Sequence, residues 1–153
     1  MLRELTARVR QEPGNIAFVP YSLESNPRHI FVYEVYRDEA ALWSRDNEPG
    51  GFEWIEGGDA ANSALSFVRW DNHGNAIVAL FNFSGTPIGP YRVGLPFAGT
   101  WEEVLNTDAA EYGGSGVGNF GSVVATDTPH GGRPASAELT LPPLGALWLR
   151  LRN

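Results

Sequence analysis

The sequence predicts a mainly β protein, an antiparallel two-sheet β-sandwich over about residues 50 to 152, preceded by a helix, a β-hairpin and a short helix. Three observations predict it. From Phe52 onward, short apolar runs recur at close spacing, each ended by Gly, Pro, Asn or Asp, which is the pattern of sandwiches and barrels. Asp71-Asn72-His73-Gly74-Asn75 is a hairpin signal between two such runs. In the run 76–83 both alternate faces are apolar, so that strand is expected at the centre of a sheet, covered on both sides.

The elements follow in chain order. Leu2, Leu5 and Val9 recur at i, i+3 and i+7, an amphipathic helix over 2–11. Pro13-Gly14-Asn15 stops it, because proline cannot continue the hydrogen-bond ladder and glycine readily takes positive φ. Two β-rich runs, 16–21 and 29–36, flank the turn formers Ser25-Asn26-Pro27. Asp38-Glu39 opens a short helix over 39–44, its acidic groups at the positive helix end. Asn47-Glu48-Pro49-Gly50-Gly51 is the clearest boundary in the chain. Strands are expected at 52–55, 65–70, 76–83, 91–96, 100–104, 122–125, 137–141 and 145–151. Tyr91, Val93 and Leu95 alternate with Arg92 and Gly94, a half-exposed strand.

Composition excludes more chemistry than it suggests. The chain of 153 residues has no cysteine, so disulfides, thiolate nucleophiles and Cys-based zinc sites are out. All eleven basic residues are arginine, which removes Schiff-base catalysis and a P-loop lysine. The formal charge of -7 repels nucleic acid and anionic lipid, whereas a neutral polysaccharide meets no such penalty. No run approaches the roughly 20 apolar residues that span a bilayer. The charged start Met1-Leu2-Arg3-Glu4-Leu5 is unlike a secretory signal, so a cytoplasmic location is expected. Charge is unevenly placed: the excess of acid lies after residue 35, which suggests two sources in one chain.

The strings that follow carry a resemblance. Tyr36-Arg37-Asp38-Glu39-Ala40-Ala41-Leu42-Trp43 and Gly51-Phe52-Glu53-Trp54-Ile55 precede Leu65-Ser66-Phe67-Val68-Arg69 and Ala79-Leu80-Phe81-Asn82-Phe83-Ser84. Then come Trp101-Glu102-Glu103-Val104-Leu105-Asn106-Thr107-Asp108, Tyr112-Gly113-Gly114-Ser115-Gly116, Gly132-Arg133-Pro134 and Leu139-Thr140-Leu141-Pro142-Pro143-Leu144. Over residues 36–151 this order resembles the C-terminal, non-catalytic all-β domain of bacterial 1,4-α-glucan (glycogen) branching enzymes, of the α-amylase C-terminal-domain type. The resemblance implies that the working carboxylates sit in a catalytic barrel outside this stretch.

Residues 2–42, with Glu12-Pro13-Gly14-Asn15 after a helix and the run Phe31 to Leu42, resemble part of an antibiotic-biosynthesis-monooxygenase-like domain, a ferredoxin-like fold. The two resemblances share the heptapeptide Tyr36 to Leu42, so the chain reads as a fusion, or a mis-assembled frame, joined there. The expected organisation is 1–42 as a partial ferredoxin-like fragment, 43–51 as a linker and 52–153 as the branching-enzyme sandwich.

Each motif has a plainer reading beside its functional one. Gly116-Val117-Gly118-Asn119-Phe120-Gly121 fits the dinucleotide pattern, but that needs a strand before and a helix after. Here β-branched Ser122-Val123-Val124-Ala125 follows, so a sandwich loop is expected and no cofactor. A retaining glycosidase needs two carboxyl groups roughly 5–5.5 Å apart. Glu102 and Glu103 are strand neighbours that must point to opposite faces, and the remaining acids sit by turns. No catalytic residue is therefore assigned. His29, His73 and His130 are scattered, so no metal site or triad is expected. Asn82-Phe83-Ser84 is a chance sequon. Trp54 and Trp148 are read as core, whereas Trp101 and Tyr112, beside Gly-rich turns, are the candidate glucan contacts. Tyr33, Trp43 and Asn47 receive no monooxygenase role, because half a fold cannot enclose that family's cavity.

The expected function is an accessory module of α-glucan branching that lacks the catalytic barrel. The alternative is a remnant of a small cofactor-independent monooxygenase. The expected partners are α-glucan or a catalytic barrel domain, with self-association through the N-terminal hairpin, and neither nucleic acid nor membrane.

Overall fold

The structure, a computed structural model, describes residues 15–23, 26–36, 44–45 and 47–152. The expected helix over 2–11, and the helix over 39–44 except Ser44, lie outside the described residues, as does Trp43. The chain divides into two compact units, residues 1–44 and 45–153. In the first, β1 (Asn15–Leu23) and β2 (Asn26–Tyr36) pair antiparallel.

The second unit is all β. Its strands are β3 (Phe52–Asp59), β4 (Ala64–Trp70), β5 (Ala76–Asn82), β6 (Ile88–Leu95), β7 (Gly99–Asn106), β8 (Ser122–Ala125), β9 (Ala135–Leu141) and β10 (Ala146–Leu151). Six of them form one sheet in the order β3-β4-β5-β10-β7-β8, and β6 pairs with β9 in a second sheet. Every pairing is antiparallel. The predicted fold class is therefore the observed one.

Alternation along each strand places the core. In β4, Ala64, Ser66 and Val68 are buried while Leu65, Phe67 and Arg69 between them are half-buried, as the period of two requires. Val78 and Leu80 of β5 join Leu147 and Leu149 of β10, and meet Val93, Leu95, Leu139 and Leu141 of the smaller sheet in one cluster. As expected for a central strand, β5 is buried on both faces from Ala76 to Leu80. The hairpin before it is held by Asp71, itself buried, whose carboxylate accepts the backbone N–H of His73 (2.7 Å) and of Asn75 (2.8 Å) and the Asn75 amide (2.7 Å).

Two tryptophans exchange the places expected of them. Trp101 is fully buried, because its side chain belongs to the core cluster shared by the two sheets, with Leu151 of β10 and Val123 of β8 beside it. The Gly99 turn beside it folds back, so that the Phe97 carbonyl accepts the indole N–H at 3.0 Å. Trp54, read as core, is 56% exposed. It stands on the edge strand β3, level with Phe67 of β4. Trp148 is half-buried, on the same outer face through Phe67, Ala79 and Trp148 in register.

Candidate functional site

Three surfaces of the second unit have the geometry to meet a partner: a braced loop, an aromatic sheet face and a polar cleft. The first contains Tyr112. Residues Ala110–Tyr112 form a short 3-10 turn ended by Gly113 at φ 82°, and Tyr112 is 42% exposed. Trp101 starts β7 and Tyr112 lies beyond its end, so the two candidate sugar contacts are not brought together. With its whole surface inside the core, Trp101 has no face to offer a sugar, and its expected role as a surface contact does not hold.

The Gly-rich segment after Tyr112 is a loop, followed directly by β8 and not by a helix, so the helix N-terminus that a dinucleotide site needs is missing there. Its motif residues hold its shape. Asp108 accepts the backbone and hydroxyl of Ser115 (2.9 and 2.6 Å) and the backbone of Val117 (3.1 Å). These bonds, Ser115's first, keep its carboxyl below the usual carboxylate range. Glu103 accepts the backbone N–H and side-chain amide of Asn119, whose Oδ1 accepts the Thr140 N–H at 2.7 Å. Asn106 donates to Glu103 and to the Val117 carbonyl. Thus Glu103 serves the loop while Glu102 pairs with Arg152 (2.7 Å) and Arg150 (3.8 Å). The two neighbours thus have different partners.

The second surface is the outer face of the larger sheet at the β3 edge. Phe52 and Trp54 meet edge to face at 5.0 Å, and both contact Phe67. Phe67 stacks on Phe81 at 5.7 Å, and Phe81 on Phe83 at 6.3 Å. The Arg69 guanidinium lies 5.8 Å from the Phe52 ring, within cation–π range. The stripe ends at Phe83, which is 59% exposed. Its neighbour Asn82 is buried, with its amide donated to the Thr86 and Pro142 carbonyls, so the sequon cannot serve as an acceptor.

The third surface is a cleft of about 360 Å³ where β3 of the larger sheet faces β6 of the smaller. Glu56, Asp59, Asn62, Tyr91, Arg92 and His130 are among the residues that line it. Asn62 donates its backbone and side chain to Asp59. These bonds, joined by one from Tyr91 and opposed by burial, hold Asp59 below the usual carboxylate range. Burial first, then the nearby charge of Asp59 and its hydrogen bond, pushes the Tyr91 hydroxyl up to about 12. Asp59 is thus ionised and Tyr91 protonated near neutral pH. Arg92 is drawn off to Glu138 (2.7 Å) and Ser136 (3.1 Å). The turn that carries His130 is pinned to β3 by Arg133, which pairs with Glu53 at 2.8 Å and donates to the Trp54 carbonyl at 3.2 Å. Among the described residues, no group of three or more His, Cys, Asp or Glu could hold a metal ion, and no helix is long and apolar enough to cross a membrane.

Neither this cleft nor the aromatic stripe is a contiguous run in the sequence, because both join residues from separate strands. The strict alternation Phe52, Trp54 on one strand and Phe81, Phe83 on another was the signal that could have found the stripe.

Comparison with known proteins agrees with this geometry. Residues 54–152 match the alpha amylase C-terminal all-beta domain, and residues 1–50 match antibiotic biosynthesis monooxygenase. The chain is 62% identical over 116 residues to the 1,4-alpha-glucan branching enzyme GlgB of Leifsonia xyli subsp. xyli (strain CTCB07), covering 76% of this chain and 16% of the relative. It is 55% identical over 114 residues to GlgB of Mycobacterium sp. (strain KMS), covering 74% and 15%. It is 56% identical over 118 residues to GlgB of Rhodococcus jostii (strain RHA1), covering 77% and 16%. The chain spans about 16% of the length of the curated relatives it matches.

Proposed function

The chain belongs to the alpha amylase C-terminal all-beta domain family, and from that membership we propose that it is the non-catalytic accessory module of a 1,4-α-glucan branching enzyme. Its work is mechanical: it braces the part of the enzyme that cleaves and re-forms glycosidic bonds. The observation that carries this reading is how the carboxylates are used. Retaining transfer needs a carboxylate nucleophile opposite a protonated carboxylic acid. Here Glu53, Glu102 and Glu138 are paired with arginines. Glu103, Asp108 and Asp71 hold loops and turns. Asp59 is held ionised, the wrong state for a general acid.

The aromatic stripe supplies the means of bracing. Monomeric proteins rarely expose a contiguous run of aromatic rings without a partner for it. The stripe begins at Phe52 and Trp54, on the first strand of the sandwich. We assign it to the catalytic part of a branching enzyme, the part that this chain does not contain among residues 1–153. The test mixes the isolated chain with a relative's enzyme truncated before its all-β domain. Sedimentation velocity should show a complex that Trp54→Ser with Phe83→Ser abolishes, and the chain alone should leave the blue amylose–iodine colour unchanged. Loss of that colour with the chain alone, or a complex indifferent to both substitutions, would overturn the reading.

A second reading concerns the first unit, where residues 1–50 match antibiotic biosynthesis monooxygenase. Its described part is one antiparallel hairpin, β1 with β2. Among the described residues neither strand pairs with a third, and an unpaired strand edge is a template for another chain, so we assign this unit a part in self-association. Comparing the full chain with residues 45–153 by light scattering tests this; equal masses would refute it.

A further inference from the structure

We infer that Leu144, with Phe83 beside it, is the anchor of the docking face: a preformed apolar plug that enters an apolar socket on the catalytic part of a branching enzyme. The choice of that partner rests on the module reading above; the plug itself does not.

Pro143 and Leu144 make the turn that leads into β10, and Leu144 holds φ at 46°. A residue with a Cβ is strained in that left-handed region, where turns ordinarily place glycine or asparagine. Packing does not offset the strain, since Leu144 is 74% exposed. Glycine would fold here more easily, so the use of the leucine side chain lies outside the folded sandwich.

The fold sets this side chain at the end of the aromatic stripe. Strands β5 and β10 pair with Phe81 opposite Ala146, and beyond that pair the Leu144 N–H donates to the Ser84 carbonyl at 2.8 Å. Buried Asn82 locks the Leu144 turn to the segment that carries Phe83. Its amide donates to the Pro142 carbonyl (2.8 Å) and to the Thr86 carbonyl (2.9 Å), and its Oδ1 accepts the Ser84 N–H at 2.8 Å. The Phe83 N–H is held as well, by the Ser63 carbonyl at 2.9 Å. Little ordering is then left to be done on docking.

Charge points to a protein as the partner. Of the whole chain 19% is charged, yet none of residues 76–91 and none of residues 139–149 is. Depletion of charge marks the core of a protein–protein interface, and such a surface has nothing to offer a phosphate backbone. Area then chooses among proteins. A stable complex covers about 800 Å² on each side, whereas one aromatic side chain supplies about 150–250 Å². Leu144 and Phe83 are too small to hold a partner unaided. They belong with the stripe that runs from Phe83 to Trp54, and share its partner. This chain spans about 16% of the length of its relatives, so their remaining length is a neighbour large enough to cover the whole face.

The test titrates the full chain against a relative's enzyme truncated before its all-β domain, by isothermal calorimetry, and measures the Tm of each variant alone. Leu144→Gly should weaken the complex about tenfold or more and raise Tm by about 2–5 °C. Leu144→Ala keeps the strain and loses the side chain, so it should weaken the complex to the same degree and leave Tm unchanged. Phe120 is the control: it too is exposed and left-handed (φ 56°), but it stands just before β8, at the other edge of the larger sheet from β3. Phe120→Gly should raise Tm and keep the affinity within about twofold. A lower Tm for Leu144→Gly would make Leu144 a packing residue and overturn the inference, as would an equal loss of affinity in Phe120→Gly. A dimeric parent that becomes monomeric as Leu144→Gly would make the partner a second copy, and overturn the assigned one. An affinity unmoved by Leu144→Gly, where Trp54→Ser with Phe83→Ser abolishes the complex, would remove the anchor and leave the module reading standing. No complex with the parent chain would remove both.

Discussion

Replacing Trp101 by alanine should remove a large part of the stability of the sandwich and leave every surface function to fail only through unfolding. The indole is fully buried and donates to the Phe97 carbonyl at 3.0 Å. A buried aromatic side chain removes about 150–250 Å² from water, worth about 4–6 kcal/mol at 25 cal/mol per Å². Residual compactness of the unfolded chain trims that by about 10–40%, which brings it to the 3–5 kcal/mol typical of Trp→Ala in a core. Domains are stable by about 5–15 kcal/mol, so the loss is about a fifth of the total at the least and most of it in a marginal domain. Urea unfolding followed by far-UV circular dichroism measures it without relying on the fluorescence of the residue removed. With a slope of about 1–3 kcal/mol per M, the midpoint should fall by about 2 M. Trp101→Phe, which keeps one aromatic ring but loses the N–H and part of the buried volume, should cost less than the alanine and at least about 1 kcal/mol, the worth of the hydrogen bond. A Trp101→Ala midpoint within error of the parent would refute the assignment of Trp101 to the core.

Three further outcomes follow from the same structure. Trp54→Ser should cost about 1–2 kcal/mol, the worth of its edge contacts with Phe52 and Phe67, so a loss matching that of Trp101→Ala would show the outer face to be core. Asp71 is buried, which alone would raise its pKa, yet its bonds from Asn75 and His73 hold it below the usual range. A folded value below the unfolded one means that its contribution is present above about pH 4 and is lost as pH falls through the folded value. The gap in Tm between the parent and Asp71→Asn should therefore close in acid, and a gap that persists to pH 2 would contradict this. Finally, a Cβ at Gly114 would run into the Asp108 backbone carbonyl, whereas one at Gly113 (φ +82°) meets nothing within 4 Å. Gly113→Ala should cost only the left-handed strain of about 1–2 kcal/mol, and Gly114→Ala clearly more in the same urea assay.

Features whose cause is local were legible in the residues. The Asp71 to Asn75 turn, the central place of β5 and all eight strands of the sandwich follow from turn chemistry and a period of two, which neighbouring residues report. The loop nature of Gly116 to Gly121 was legible for the same reason, from the strand residues after it. What depends on which strands become neighbours was not. Trp101 stands near a glycine turn and looks exposed, but its strand takes a place between β8 and β10 with the ring in the core cluster, and those neighbours come from distant parts of the chain. Trp54 sits among apolar residues and looks buried, but it falls on an edge strand with its ring outward. The cleft draws Asp59, Ser66, Tyr91 and His130 from four separate elements, and no spacing in the sequence records that they meet. Tyr112 alone keeps the surface position expected of it.

We propose that this sandwich is an exchangeable, non-catalytic brace for a branching enzyme. The most direct measurement is a chimera in which residues 54–152 replace the corresponding segment of a full-length relative, assayed by loss of the amylose–iodine colour and by the chain lengths transferred. The chimera should fold, with kcat within about tenfold of the parent, a loss of no more than about 1.4 kcal/mol, and unchanged transferred lengths. Trp54→Ser with Phe83→Ser in the chimera should lower Tm and activity together. A chimera that folds with the parent's Tm but makes no branches would contradict it, because a brace that fits should restore the chemistry it supports.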